Sequence, residues 1–223
     1  MTMRIAVAIS GRGSNLESLL KALVPGAPAE VVLVISDRVD AGGLSLPRAR
    51  GIPAEVLADP ANAEEWLPLL GRHTVDLIVL AGYLKLVPAA VIGAYRGRII
   101  NIHPALLPDF GGKGMYGKRV HRAVLASGAR ETGVTIHLVD EVYDRGAVLA
   151  QARVPVLPGD TPELLAARVL EVEHRLLPAA VLAAAEAGHP VALVHVESRE
   201  SSVENFASKS RTVEGSKDHD PRP

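Results

Sequence analysis

Four short aliphatic runs, each cut off by glycine, proline or a polar cluster, constrain this chain more than any other feature. They are Arg4–Ser10, Glu30–Ser36, Asp76–Ala81 and Arg98–His103. Their interiors (Ile-Ala-Val-Ala-Ile, Val-Val-Leu-Val-Ile, Leu-Ile-Val-Leu, Ile-Ile) lack the polar–apolar alternation of a half-exposed strand. They read as strands buried on both faces, which is the habit of a parallel sheet. Helical patterns lie between them. Leu16, Leu19, Leu20 and Leu23 recur at helical spacing, so a helix starts near Ser14 and ends by Pro25 to Pro28; Ala63–His73 forms a second around Trp66. Strands alternating with helices give a parallel sheet with right-handed crossovers. Aromatic residues make up only 3% of the chain, so the core must be built from Ala, Val, Leu and Ile, as such a sheet requires. The expected fold is α/β and Rossmann-like: a mostly parallel, twisted sheet with helices on both faces and an antiparallel strand pair in the C-terminal half.

That pair is predicted at Thr132–Val139 and Ala147–Val156, because only the turn Asp140–Gly146 separates them. Smaller elements are expected at Leu44–Arg50 (helix), Pro53–Leu57 (a weak third strand) and Val120–Ser127 (helix). Thr161 is a good N-cap and Pro162 a good first helical residue, so the longest helix begins there and can reach Ala187, with Pro178 kinking or splitting it. His189–His195 is a candidate edge strand. Residues 1–196 form one expected domain; residues 197–223, dominated by Ser, Lys, Glu, Asp and Arg, read as a disordered polar tail. No internal repeat is present.

A net charge of −1 argues against a nucleic-acid binder driven by bulk charge. With no cysteine there is no disulfide framework and no thiolate metal site, which fits the cytoplasm. No stretch approaches the ~18 apolar residues of a membrane span, and the apolar run at Met1–Ser10 is short for a signal peptide. No His-x-x-x-His pair occurs, so no metal is expected.

Ligands on parallel sheets bind beyond the carboxyl ends of the strands. Two clusters at such ends carry chemistry and are expected to share one crevice. The first is Gly11-Arg12-Gly13-Ser14-Asn15, where a strand turns into a helix. Two glycines permit the tight turn, and the exposed N–H groups at the helix start attract an anion, most simply a phosphate. The alternative is a plain glycine turn capped by Ser14. The dinucleotide fingerprint fails because its third glycine falls on Leu16, and with it goes the reading of Asp37 as a ribose-binding carboxylate. The second cluster is Asn101 and His103. Two residues apart on a strand, they share a face, and Pro104 ends the ladder. An amide donor beside a proton carrier is what acyl transfer needs. The alternative is a turn cap and a satisfied core histidine. Asp140–Gly146 alone is a solvated acidic turn; a carboxylate from it beside His103 would fix the imidazole's tautomer and raise its pKa. His137 reads as a structural histidine, and His174 as one of several solvated charges on the long helix.

Together these segments resemble the folate-dependent formyltransferases, and within them the branch acting on phosphoribosylglycinamide. The resemblance rests on Ser10-Gly-Arg-Gly-Ser-Asn15, Leu80-Ala-Gly-Tyr83, Asn101-Ile-His-Pro-Ala-Leu-Leu-Pro108, Gly111-Gly-Lys-Gly-Met-Tyr-Gly117, the Asp140–Gly146 turn, and Gly159-Asp-Thr-Pro162 leading to Glu173-His174. It covers residues 3 to about 190. It implies Asn101, His103 and Asp144 as the catalytic trio. It implies Gly11, Arg12, Gly13, Ser14 and Asn15 around the substrate's phosphate, and Glu173 at its ribose. Leu84, Lys85, Leu86 and Val87, with Asn101, Asp140, Glu141, Val142 and Tyr143, would wrap the folate. One departure concerns the folate side: the Arg that relatives carry near Ala63 is missing, and no Arg lies between Arg50 and Arg72.

The implied reaction moves the formyl group of 10-formyltetrahydrofolate to the glycyl amine of 5′-phosphoribosylglycinamide in purine synthesis, through a tetrahedral oxyanion and without a metal. Partners would be small molecules, with no nucleic acid or membrane, in a monomer or homodimer. The glycine-rich loop Pro108–Gly117 is expected to be mobile and to close over the site. Rival readings are a formyltransferase for methionyl-tRNA or a nucleotide sugar, a formyltetrahydrofolate hydrolase, and a non-catalytic nucleotide-binding module. The first usually carries a second C-terminal domain and the hydrolase a further N-terminal one; the last has no use for Asn101 and His103 at a strand end.

Overall fold

A computed structural model describes residues 1–193. Seven strands form one sheet in the order β3-β2-β1-β4-β5-β6-β7. They are β1 (Met3–Ile9), β2 (Ala29–Ser36), β3 (Ala54–Val56), β4 (Leu77–Leu80), β5 (Ile99–His103), β6 (Glu131–Leu138) and β7 (Val148–Pro155). β1 to β5 pair in parallel, whereas β6 is antiparallel to both β5 and β7. The helices are α1 (Ser14–Ala22), α2 (Ser45–Arg48, preceded by a 3₁₀ turn at Gly42–Leu44), α3 (Ala63–Arg72), α4 (Ala89–Ala94), α5 (Lys118–Ala126) and α6 (Pro162–Ala187). The expected α/β architecture with its antiparallel C-terminal pair is present.

Strand alternation divides the core into two layers. Ile5, Val7 and Ile9 of β1 pack on the side of α1 and α6 through Leu16, Leu19, Val169 and Leu177. Ala6 and Ala8 face the other way, toward Trp66 and Leu70 of α3 and Val91 of α4. The small alanines on that face leave room for Trp66, which is fully buried, donates its indole N–H to the Pro60 carbonyl, and meets Tyr83 edge-to-face at 5.6 Å. β2 holds its pairing with β1 through a register shift that skips Val32, so Val31 and Val34 face one layer while Leu33 and Ile35 face the other.

Three expectations are revised. α4 has no counterpart among the elements expected from the sequence, because six residues are too few to show a helical period. Pro178 does not divide the helix, since α6 is one helix of 26 residues with Pro178 buried in the core. Of the expected edge strand at His189–His195, residues 189–193 are irregular, with a single ladder-like bond from Leu193 N–H to the Leu149 carbonyl. The rest of that segment, and the tail from residue 197, lie outside the described residues.

Within β6, Gly133 is set by close packing. A Cβ there would collide with the Ala152 carbonyl of β7 and with the Leu106 side chain. Gly133→Ala is therefore expected to cost about 1–3 kcal/mol, as overpacking of a filled core does. Urea denaturation reads this directly, and an unchanged midpoint would contradict the packing described.

The sheet order also decides where a ligand can enter. From β1 the chain runs outward through β2 and β3, then returns to β4 on the other side of β1. The loops after β1 and β4 consequently diverge and open a crevice at the carboxyl ends of the strands.

Candidate active site

The crevice is a cleft of about 750 Å³. It runs from the Gly11–Asn15 turn, past Leu84–Val87, to Asn101, His103 and Asp144, with the glycine loop and α6 as its walls. The two sequence clusters thus share one cavity.

At one end, Gly13 caps α1 in the left-handed region (φ 75°), and no side chain caps the first helical N–H groups. The capping position thus belongs to Gly13 and not to Ser14. Gly13 cannot carry a Cβ, because the atom would sit 2.8 Å from the Gly43 Cα; that approach is fixed by the Gly43 N–H bond to the Gly11 carbonyl (3.0 Å). Uncapped donors at the positive end of a helix form an anion site. Beside it the Asn15 amide donates to Glu173 Oε2 (3.1 Å), from α6. Burial pushes the Glu173 carboxyl up to about 7, only partly offset by that bond.

At the other end, Asn101 and His103 share a face of β5, opposite Ile100 and Ile102. His103 is buried, and its Nε2 lies 2.9 Å from the Phe110 carbonyl. A carbonyl can only accept, so Nε2 carries the proton and the neutral ring presents its Nδ1 lone pair elsewhere. Nδ1 lies 3.7 Å from Asp144 Oδ2. The separation suits an ion pair and exceeds a hydrogen bond. Burial lowers the His103 pKa and outweighs the opposing pull of Asp144 and the Phe110 carbonyl. Asp144 raises the pKa as expected of a neighbouring carboxylate, but the strand end is enclosed enough that desolvation sets the net direction. Asp144 is itself partly desolvated, which favours its neutral form, but His137 and His103 when protonated, together with the Gly112 N–H, hold its pKa below the ordinary value. Asp144 adopts φ 56°, and Gly112 N–H donates to its Oδ2 at 2.8 Å. The glycine loop thus rests on the pair, with Phe110 on His103 and Gly112 on Asp144.

His137 belongs to this site, against the structural reading. The antiparallel β5–β6 register sets it directly opposite Asn101. Its Nδ1 donates to the Leu138 carbonyl (2.7 Å), which leaves Nε2 to accept from the Asn101 amide at 3.0 Å. One amide hydrogen of Asn101 is held there, and among the described residues the other has no hydrogen-bond partner. His137 Nε2 is also 3.5 Å from Asp144 Oδ1. The segment after His103 is tied down in parallel: the Thr135 hydroxyl donates to the Ala105 carbonyl and accepts from Leu107 N–H, and Gln151 reaches the Leu107 carbonyl.

The middle of the cleft is apolar at its mouth. Leu84, Leu86, Val142 and Tyr143 are 43%, 43%, 55% and 37% exposed, unusually open for large apolar side chains and gathered on one cavity. Such a slot accepts a flat, partly apolar ring system. Glu141 is exposed and is not among the residues lining the cleft, unlike its neighbours Asp140, Val142, Tyr143 and Asp144. No α3 residue lines it either, so the missing Arg near Ala63 has no counterpart there. Arg12, Lys85, Lys113, Lys118 and Arg119 rim the cleft against Asp140, Asp144 and Glu173. A near-neutral chain thus concentrates cationic side chains where anionic ligands would enter. Among the described residues no cluster of His, Cys, Asp or Glu could hold a metal ion, and no helix is long and apolar enough to cross a membrane.

Residues 3–181 match the family model described as formyl transferase. The chain is 47% identical over 181 residues to a chloroplastic phosphoribosylglycinamide formyltransferase of Arabidopsis thaliana, covering 78% of this chain and 62% of that relative. It therefore spans less than two thirds of the plant relative's length. It is 40% identical over 182 residues to the phosphoribosylglycinamide formyltransferase of Haemophilus influenzae, covering 78% of this chain and 84% of that one. The crystal structure of phosphoribosylglycinamide formyltransferase from Anaplasma phagocytophilum superposes with a TM-score of 0.78 at 38% identity, over 84% of this chain and 88% of that one.

Proposed function

The chain belongs to the formyl transferase family, and from that membership we propose that it transfers the formyl group of 10-formyltetrahydrofolate to the glycyl amine of 5′-phosphoribosylglycinamide, a step of purine synthesis. The observation that carries the reading is the convergence of Asn101, His103 and Asp144 at one end of a cleft whose other end is an uncapped helix start. A phosphorylated amine bound at the second would present its nitrogen to the first.

Each part of the cleft takes one part of the reaction. Gly11–Asn15 take the phosphate, with Arg12 at the rim. Glu173, braced by Asn15, accepts from ribose hydroxyls. Leu84–Val87 and Asp140–Tyr143 enclose the pterin. The donor supplies the formyl carbon, and attack by the amine builds charge on the formyl oxygen. The free amide hydrogen of Asn101, oriented by His137, donates to that oxygen; a preorganised donor of this kind is worth ~3–4 kcal/mol. Neutral His103 accepts the amine's proton at Nδ1, and Asp144, already ionised, stabilises the imidazolium across 3.7 Å. His103 then returns the proton to the departing folate nitrogen. The loop through Phe110 and Gly112 excludes water that would hydrolyse the donor. No metal enters, and the proposed setting is a cytoplasmic protein of one catalytic domain, monomeric or homodimeric, acting on small molecules.

The test is direct: purified protein with 10-formyltetrahydrofolate and phosphoribosylglycinamide, following tetrahydrofolate release. Release that needs the amine supports the reading; release in water alone identifies a hydrolase and overturns it. A second expectation concerns the phosphate end. Ser14→Ala and Asn15→Ala should raise KM for phosphoribosylglycinamide roughly tenfold, the effect of one lost hydrogen bond to a charged group. Steady-state kinetics with each substrate varied separately checks this, and a rise confined to the folate KM would contradict the phosphate assignment.

A further inference from the structure

One imidazole in the cleft takes no part in the chemistry assigned to Asn101, His103 and Asp144. His121 lies in the first turns of α5, is only 4% exposed, and lines the same cavity. Its Nδ1 is sealed from solvent with no hydrogen-bond partner. Among the described residues nothing bonds its Nε2 either, that atom is not sealed, and the residue lines the cleft. A buried histidine with both nitrogens unmet is costly unless a ligand completes it. Burial holds the ring neutral, and protonation of His103 pushes it the same way. An unpaired buried N–H is rarer than an unpaired acceptor, so the proton belongs on Nε2, the nitrogen that is not sealed. His121 then shows the cleft one uncharged N–H donor.

Its position selects what that donor meets. α5 packs against α6, whose Val169 and Glu173 line the same cleft, as does His103. His121 therefore lines the same cleft as Glu173 and His103, the two points a ligand must span between the ribose contact and the reacting amine. In phosphoribosylglycinamide that stretch is the glycinamide arm, whose one strong acceptor is its amide carbonyl.

We propose that His121 is a specificity-determining residue that donates its Nε2–H to the amide carbonyl of the substrate's glycinamide arm. The inference rests on the proposed formyl transfer to phosphoribosylglycinamide. A neutral donor suits this position: it favours an amide-linked amine over one joined by a methylene, without attracting the formyl donor's carboxylates away from the rim.

The experiment measures binding of phosphoribosylglycinamide by calorimetry, which does not depend on turnover, and KM for each substrate. His121→Ala should weaken phosphoribosylglycinamide binding roughly 10- to 100-fold and leave the KM for 10-formyltetrahydrofolate within about twofold. His121→Gln, which places an amide N–H near the Nε2 position, should recover most of the loss, whereas His121→Leu should not. An analogue with the amide carbonyl reduced to a methylene tests the wild-type protein alone, and so does not depend on any variant folding: it should bind at least tenfold more weakly than the parent. Equal binding of the analogue and the parent, or equal rises in both KM values in His121→Ala, would overturn the assignment. If the wild-type protein fails to bind phosphoribosylglycinamide at all, the functional reading falls and this inference with it; if it binds and His121→Ala binds equally well, only the inference falls.

Discussion

His103→Ala is expected to lower kcat for formyl transfer by about 10³–10⁴-fold, the upper part of the range for losing a positioned base. The ring is buried and both its nitrogens face acceptors, Phe110 O at 2.9 Å and Asp144 Oδ2 at 3.7 Å. That arrangement leaves one proton vacancy, on Nδ1, and makes the imidazolium the better-satisfied state once a proton arrives. Burial keeps the free protein's ring neutral, so kcat/KM should rise with pH through the lowered His103 pKa and then level off. Asp144→Asn makes a sharper test because it preserves shape. Asp144 raises the His103 pKa, so removing its charge moves the acid limb to lower pH while the plateau falls by roughly 10²-fold or more. A pH–rate profile distinguishes this from simple structural damage, which lowers the plateau without moving the limb. An acid limb displaced upward, or near wild-type kcat in both variants, would overturn the assignment.

Glu173→Gln should have opposite effects on stability and on binding. The carboxyl is 7% exposed, and burial raises it from an ordinary value of 4.5 to about 7. The folded state therefore binds this proton more tightly than the unfolded chain. Its contribution to stability is thus fully present below about pH 4.5, is lost as pH rises toward 7, and stays lost above it. At pH 8 the wild-type protein carries a buried carboxylate that glutamine does not. The variant should then be more stable by up to about 3 kcal/mol, a ceiling that relaxation and water entry reduce. Melting temperatures at pH 5 and pH 8 would show the gap between the two proteins opening with pH. Phosphoribosylglycinamide binding should weaken at the same time, because an amide presents one acceptor where the carboxylate presents two. Equal melting curves at both pH values would remove the case for a strained acid; stabilisation with unchanged binding would remove it from the ribose.

Much of this is legible in the residues. The aliphatic runs give away the strands because a sheet covered on both faces has no reason to alternate. Strand ends then locate the crevice, and the same-face rule pairs Asn101 with His103. What escapes is what depends on neighbours distant in sequence. His137 looks like any strand histidine until the β5–β6 register puts it opposite Asn101. Asp144 is reached only through family resemblance, since its approach to His103 runs through a left-handed turn that spacing does not foretell. The direction of the His103 shift depends on enclosure against charge, and enclosure is a property of the finished fold. The cationic rim gathers side chains from separate segments, invisible in a net charge of −1.

The contact between Trp66 and Tyr83 has a practical use. Trp66 is the chain's one tryptophan, fully buried, and its ring stands 5.6 Å from that of Tyr83, which lines the cleft. The protein is thus built with an intrinsic fluorophore whose signal comes from a single known place. Its emission should be blue-shifted in the native state and move red as the α3 layer is exposed. A ligand that shifts Tyr83 should alter the intensity without unfolding anything. Titrations of either substrate, and urea denaturation of Gly133→Ala, can therefore be followed by unlabelled fluorescence.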